Sequence, residues 1–315
     1  RKACLAVSSL LFPKKVAVVG AGPAGLAAST IAAERGHQVT LFEASAEIGG
    51  QFNMAKRIPG KEEFYETIRY FDTMIKKHGV DLKLNTRVSA NDLVDGDFDE
   101  VIIATGVIPR EIKLPGIDHE KVLSYVDVLA GNVQVGKRVA IIGAGGIGFD
   151  VAEYLTSPSE STSMNIDAFM KEWGVDRTNT ARGGVEGIEA EHPQSEREVF
   201  LLQRKSGKLG AGLGKTTGWI HRSSLKNRHV KMIGNVQYER IDDRGLHILN
   251  KGTNELQLLD VDHIIICAGQ EPLPDLFQPV KAAGINVHLI GGAEEARELD
   301  AKRAIDQGAR LAAKL

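Results

Sequence analysis

The chain has 315 residues, of which 43% are hydrophobic and 25% charged, an ordinary globular composition and a length that suits about two domains. Its 39 Lys and Arg against 41 Asp and Glu leave no basic excess for nucleic acid or for an anionic membrane, so neither is an expected partner. The two cysteines, Cys4 and Cys267, form no Cys-x-x-Cys, which argues against a redox disulfide, a zinc site or a self-contained iron–sulfur cluster and fits a reducing, cytoplasmic setting.

The start, Arg1-Lys2 followed by Ala3 to Phe12, mimics a short signal peptide, but no Ala-x-Ala cleavage site follows. A linker or extended surface segment is expected instead. No apolar run reaches the roughly 18 residues of a membrane helix. The missing initiator Met suggests a piece of something longer.

Lys15 to Val19 (KVAVV) is an apolar run bounded by glycine, as in a buried parallel strand. The glycine turn Gly20 to Gly25 follows, with a small-residue helix from about Pro23 to Arg35 and a strand from Val39 to Glu43. An amphipathic helix is predicted over 62–78, with Phe64, Ile68, Phe71 and Ile75 on one face, then strands over 80–84 and 100–104. The second half repeats the scheme. Arg138 to Ile142 (RVAII) is a strand, Gly143 to Gly148 a glycine turn, and a helix runs to about Leu155. Strands are predicted over 199–203, 230–233 and 263–267, and a terminal helix over 299–314. Strand, glycine turn, helix and strand, used twice, give an α/β fold of two doubly wound Rossmann-like dinucleotide-binding domains.

Residues 157–197 break this rhythm, being polar and rich in Ser, Thr, Glu and Gly, with only Ile166 to Trp173 reading as helix. Such a connection is ordinarily two to six residues. The stretch is an insertion, either a surface excursion over a ligand or another domain, or a partly disordered loop.

The chemistry lies in the glycine turns. In Gly20-Ala21-Gly22-Pro23-Ala24-Gly25, Gly20 permits the tight turn, Gly22 lets a pyrophosphate approach the backbone, and Gly25 lets helix and strand pack closely. The helix start offers free N–H groups to the phosphates. Glu43, at the end of the next strand, stands where a carboxylate accepts from a ribose diol. In Gly143-Ala144-Gly145-Gly146-Ile147-Gly148 the corresponding strand ends in Gln203-Arg204-Lys205. A carboxylate there would repel a 2′-phosphate, whereas Arg204 can grip one bidentately and Lys205 adds charge, which favours NADPH over NADH. The alternative is a solvated strand end. Further small residues, Ala104-Thr105-Gly106, Ala268-Gly269, Gly49-Gly50-Gln51 and Gly291-Gly292, sit at strand ends or tight turns suited to a cofactor crevice.

Taken together these motifs resemble the flavoproteins with two dinucleotide-binding domains. More narrowly, EIGGQFNMAKRIPGKEEFYET, IDHEKVLSYVDVL, GLGKTTGWIHR and CAGQEP resemble bacterial NADPH-dependent 2,4-dienoyl-CoA reductase, of the trimethylamine dehydrogenase-like family. The resemblance covers nearly the whole chain. It implies an FAD-binding domain over 1–130 and 280–315, and an NADPH-binding domain over 131–279. Ala44, Gln51, Lys56 and Val88 would complete the FAD contacts, and Lys215 those of the nicotinamide cofactor. Thr216, Trp219 and His221 could line the nicotinamide or form only a loop and helix start. The terminal helix would aim its positive end at the flavin. The family's FMN-binding (β/α)₈ barrel and [4Fe-4S] segment would belong to the parent chain as this module's partner; Cys4 would be a remnant beyond that segment. Gly292 stands where many relatives carry Asp. The resemblance implies hydride transfer from NADPH to FAD as the electron-input half of such a reductase in fatty-acid β-oxidation. The alternatives are a free-standing NADPH:acceptor oxidoreductase and a non-catalytic module that only holds ADP or FAD.

Overall fold

An apolar strand with both faces hidden belongs in the middle of a parallel sheet covered on each side, and Val16 to Val19 are buried in that way. The computed structural model describes residues 12–158, 160–297 and 300–315; Cys4 and Leu299 lie outside them. In chain order the first elements are β1 (Lys15–Val19), α1 (Pro23–Glu34), β2 (Gln38–Phe42), α2 (Phe52–Ala55), α3 (Phe64–His78), β3 (Asp81–Lys83), α4 (Ala90–Asp95), β4 (Glu100–Ile103) and β5 (Val107–Pro109). Then come β6 (Val122–Ser124), α5 (Tyr125–Ala130), β7 (Arg138–Ile142), α6 (Gly146–Thr156), α7 (Ile166–Trp173), β8 (Glu198–Leu202), α8 (Gly218–Asn227) and β9 (Lys231–Ile233). The rest are β10 (Val236–Asp242), β11 (Gly245–Asn250), β12 (Glu255–Leu259), β13 (His263–Ile266), β14 (Gln270–Pro272), α9 (Phe277–Ala282), β15 (Asn286–Leu289) and α10 (Ala301–Ala312).

The chain forms two compact units. Of the described residues, one takes those up to Ala55, Glu63–Pro109 and Gln270–Leu315; the other takes Lys56–Glu62 and Arg110–Gly269. The first unit holds a parallel sheet of order β15-β4-β1-β2-β3. Period-two alternation along β1 sends Val16 and Val18 to one face, packed with α1, α3 and α10, and Ala17 and Val19 to the other, packed with α4 and α9. Gly308 of α10 is so close to the Ala24 carbonyl of α1 that a Cβ has no room, which sets the spacing of the two helices.

The second unit holds a parallel sheet of order β6-β13-β7-β8-β9. Leu201 lies towards α6, while Ala140, Ile142, Phe200 and Leu202 pack against Val236, Leu246, Ile248 and Leu259 of an antiparallel meander, β10-β11-β12. This meander was not among the predicted elements.

The units divide at other positions than 130/131 and 279/280. β6 pairs with β13 and the segment 110–130 groups with the second unit, whereas β14 pairs with β5 and carries residues 270–279 back to the first. The helix predicted from Glu62 starts at Phe64; the Glu62 carboxylate instead accepts from Gly60 N (3.0 Å) and from Ser163 Oγ (2.9 Å). The insertion 157–197 contains the predicted helix as α7. That helix is anchored by a buried ion pair, Arg228 Nη2 to Glu172 Oε1 at 3.1 Å, to which Thr162 and Ser157 donate or accept further hydrogen bonds. Among the described residues no helix is long and apolar enough to cross a membrane.

Candidate functional site: two dinucleotide cradles

In the first unit Gly20 has φ +103°, and a Cβ there would lie 2.5 Å from the Ala104 carbonyl oxygen. Only glycine meets both conditions. A Cβ on Gly25 would overlap the Gly20 carbonyl, whereas a Cβ on Gly22 would meet nothing within 4 Å. Gly22 is the N-cap of α1 without a side-chain cap, and Pro23 follows at the first helical position. Thus two glycines close the turn and the middle one leaves a hollow above uncapped N–H groups, the shape and polarity a pyrophosphate requires.

The Glu43 carboxylate braces this loop, accepting from Ala21 N and Ser45 N at 2.8 Å each; each oxygen keeps a lone pair for a ribose hydroxyl. Gly49 N donates to Ala21 O at 2.8 Å, and a Cβ on Gly50 would meet Gly22 Cα at 2.9 Å. On the other side Gly291 approaches Ala24, and Gly292 approaches Gly106 at the turn after β4. Thr105 Oγ1 donates to Leu273 O at 2.5 Å. The fold therefore gathers Gly20 to Gly25, Glu43, Gly49-Gly50, Ala104 to Gly106 and Gly291-Gly292 around one helix start, and this cradle fits FAD. Ala44 is exposed beside Glu43, Gln51 is half-buried at the start of α2, and Val88 packs against the core next to α4. Lys56 groups with the second unit. The start of α10 is capped by Asp300, whose Oδ1 accepts from Arg303 N at 2.6 Å, so a carboxylate already sits at that helix's positive end.

The second unit repeats the geometry. Gly143 has φ +113° and presses on the Cys267 carbonyl, Gly148 presses on the Gly143 carbonyl, and a Cβ on Gly145 or Gly146 would meet nothing within 4 Å. Gly145 is the uncapped N-cap of α6. Ala144 is buried and Ile147 half-buried. Beyond β13, Ala268 leads to Gly269, whose carbonyl accepts from Arg110 N at 3.0 Å. This cradle fits a second dinucleotide. Arg204 and Lys205, past the end of β8, are exposed and carry no ion pair among the described residues. Lys215 is exposed on the turn before α8.

Helix α6 also carries two carboxylates, Asp150 and Glu153, that the sequence motifs did not single out. Asp150 Oδ1 pairs with Lys61 Nζ at 2.6 Å, and Glu153 Oε1 meets His221 Nδ1 at 2.8 Å. Burial pushes the Asp150 carboxyl above the usual range, with Lys61 opposing. The Glu153 hydrogen bond holds the His221 imidazole above its usual value, against partial burial. Two acids three positions apart just after a glycine turn were the available signal; their partners, from residues 61 and 221, were not.

A model of the pyridine nucleotide-disulphide oxidoreductases matches residues 14–298. The chain belongs to that family. Its members bind FAD and NAD(P). It is 27% identical over 303 residues to a metal reductase of Desulforamulus reducens, covering 95% of this chain and 44% of the relative. It is 37% identical over 285 residues to an NADH oxidase of Thermoanaerobacter brockii, covering 89% and 38%. A 2-naphthoyl-CoA reductase solved with 2-naphthoyl-CoA superposes with a TM-score of 0.81 at 28% identity, covering all of this chain and 42% of that one. The chain thus spans less than half the length of these relatives. The disulphide of the family's description has no counterpart in the described part of this member. Cys267 is buried, burial pushes its thiol far up, and its contribution to the site is its backbone carbonyl against Gly143.

Proposed function

We propose that the chain takes electrons from NADPH on its second unit and delivers them to FAD on its first, as the electron-input half of a 2,4-dienoyl-CoA reductase-like enzyme of fatty-acid β-oxidation. The observation that carries this reading is the repeated cradle with unlike strand ends: a carboxylate, Glu43, beside one and two exposed cations, Arg204 and Lys205, beside the other. A carboxylate suits a ribose diol and cations suit a 2′-phosphate. When bound, NADPH would supply the hydride and FAD would accept it, and an FMN barrel and an iron–sulfur region of a longer parent chain would be the partner that takes the electrons. The protein's part is to hold and orient both nucleotides, which calls for no general acid. The likeness to a reductase of an acyl-CoA thioester supports the substrate class. The second reading, a free-standing NADPH:acceptor flavin oxidoreductase, is favoured by the 37% identity to an NADH oxidase.

The test is a visible spectrum of the flavin-loaded chain before and after anaerobic NADPH. Bleaching of the flavin, ferricyanide reduction, and no consumption of a 2,4-dienoyl-CoA by the chain alone are expected. Bound FAD that NADPH leaves yellow would favour a module that only holds the nucleotide. Dienoyl-CoA reduction by this chain alone would place the thioester site within it and overturn the half-enzyme reading.

A further inference from the structure

The loop after β8 is held from below by the meander. Asn235 N donates to Lys205 O at 3.0 Å, Val236 N to Gln203 O at 3.2 Å, and Gln203 Nε2 to Lys205 O at 3.1 Å. Asn235 itself sits at φ +61° in the turn between β9 and β10, and its carbonyl accepts from Lys251 N at 3.0 Å. Lys251 opens the turn between β11 and β12 and reaches across 47 positions of sequence to donate from Nζ to Arg204 O at 2.7 Å. An ammonium has three donors, so two remain after this bond. Lys251 is exposed and carries no ion pair among the described residues.

From this geometry we infer that Lys251 is a specificity-determining residue of the second cradle: it fixes the backbone of Arg204 and is the third cation, with Arg204 and Lys205, for the 2′-phosphate of an adenosine nucleotide. The inference rests on the reading of Arg204 and Lys205 as the phosphate-recognising strand end. It gives the meander a purpose beyond covering the sheet. A strand end by itself offers two flexible cations on an unsupported loop. The meander supplies the floor that fixes the loop and a further charge from another element. A cation held by one hydrogen bond loses less conformational freedom on meeting a phosphate than a free lysine does.

The test is calorimetric binding of adenosine 2′,5′-bisphosphate and of 5′-AMP to the flavin-loaded full chain and to four variants. Arg204→Ala reports on the underlying reading, and it is expected to weaken the bisphosphate and spare 5′-AMP. Lys251→Met and Lys251→Gln are expected to lower the bisphosphate preference about fivefold, the order of one solvent-exposed ionic contact, and Lys251→Arg to restore it. Gln keeps a donor for the Arg204 carbonyl without the charge, so full retention of the preference in Lys251→Gln would remove the charge role and overturn the proposal. An equal loss for both nucleotides in Lys251→Met would show a merely structural lysine and would also overturn it. If Arg204→Ala leaves both affinities unchanged, the strand-end reading fails, and Lys251 falls with it.

Discussion

The carbonyl oxygen of Gly20 occupies the space that a Cβ on Gly25 would need, and Gly143 stands to Gly148 in the same way. In both units the first glycine's oxygen is therefore a fixed wall, and the helix meets its strand only because the last glycine of the turn has no side chain. A Cβ on Gly22 or Gly145, by contrast, would meet nothing within 4 Å.

That contrast separates folding from binding. Gly25→Ala is expected to destabilise the chain by about 1–3 kcal/mol, the usual cost of overpacking, seen as a lowered melting temperature. Gly22→Val is expected to melt close to the parent and to lose FAD, measured by flavin fluorescence on reconstitution. Equal melting and equal flavin affinity in the two variants would contradict the division of labour.

Nicotinamide preference is the second prediction. Arg204→Ala is expected to weaken NADPH by about 1.5–3 kcal/mol, the range for a hydrogen bond to a charged group, with NADH nearly unaffected. Steady-state KM values for the two cofactors check it; a parallel rise in both would mean that Arg204 serves the loop rather than the 2′-phosphate.

A buried ion pair helps to hold the insertion. The side chains of Arg228 and Glu172 are only 7% and 9% exposed, so removing one partner leaves a buried charge. Arg228→Met is expected to cost about 3–5 kcal/mol, while the double variant Arg228→Met with Glu172→Leu recovers most of it. Denaturant unfolding of the two variants decides the point.

A pH signature follows from His221. Its folded-state pKa is raised by Glu153, so the pair contributes most below the usual imidazole value of about 6.5 and loses that contribution as pH rises through the raised value. Glu153→Gln should therefore cost more stability at pH 6 than at pH 8, and it should return the His221 titration, followed by NMR, towards the usual value.

The Cys267 thiol should be inert. Its burial disfavours the thiolate, so maleimide labelling with peptide mapping is expected to leave Cys267 unmodified in the native chain and to modify it in guanidinium. Rapid native labelling would mean that the strand end at Cys267 opens.

Both cradles were legible in the sequence because each is a local object. A positive φ at Gly20 or Gly143, an uncapped helix start, and the residue at the end of the next strand are decided within a short stretch by sterics and hydrogen bonding. The continuous apolar runs KVAVV and RVAII were likewise enough to predict buried parallel strands. What the sequence left open depends on pairings between distant positions. Thr105 finds Leu273 from 168 residues away, and the β5–β14 ribbon moves the border between units to Pro109 and Gln270. The meander's turns, Asp242 to Gly245 and Lys251 to Asn254, carried ordinary turn residues that could have announced it. Nothing local, however, revealed that its apolar face would cover Ile142 and Leu202 or that Lys251 would reach Arg204. Charge partners such as Glu172 with Arg228 and Asp150 with Lys61 were settled only when packing buried Glu172, partly covered Asp150, and left a cation within reach of each.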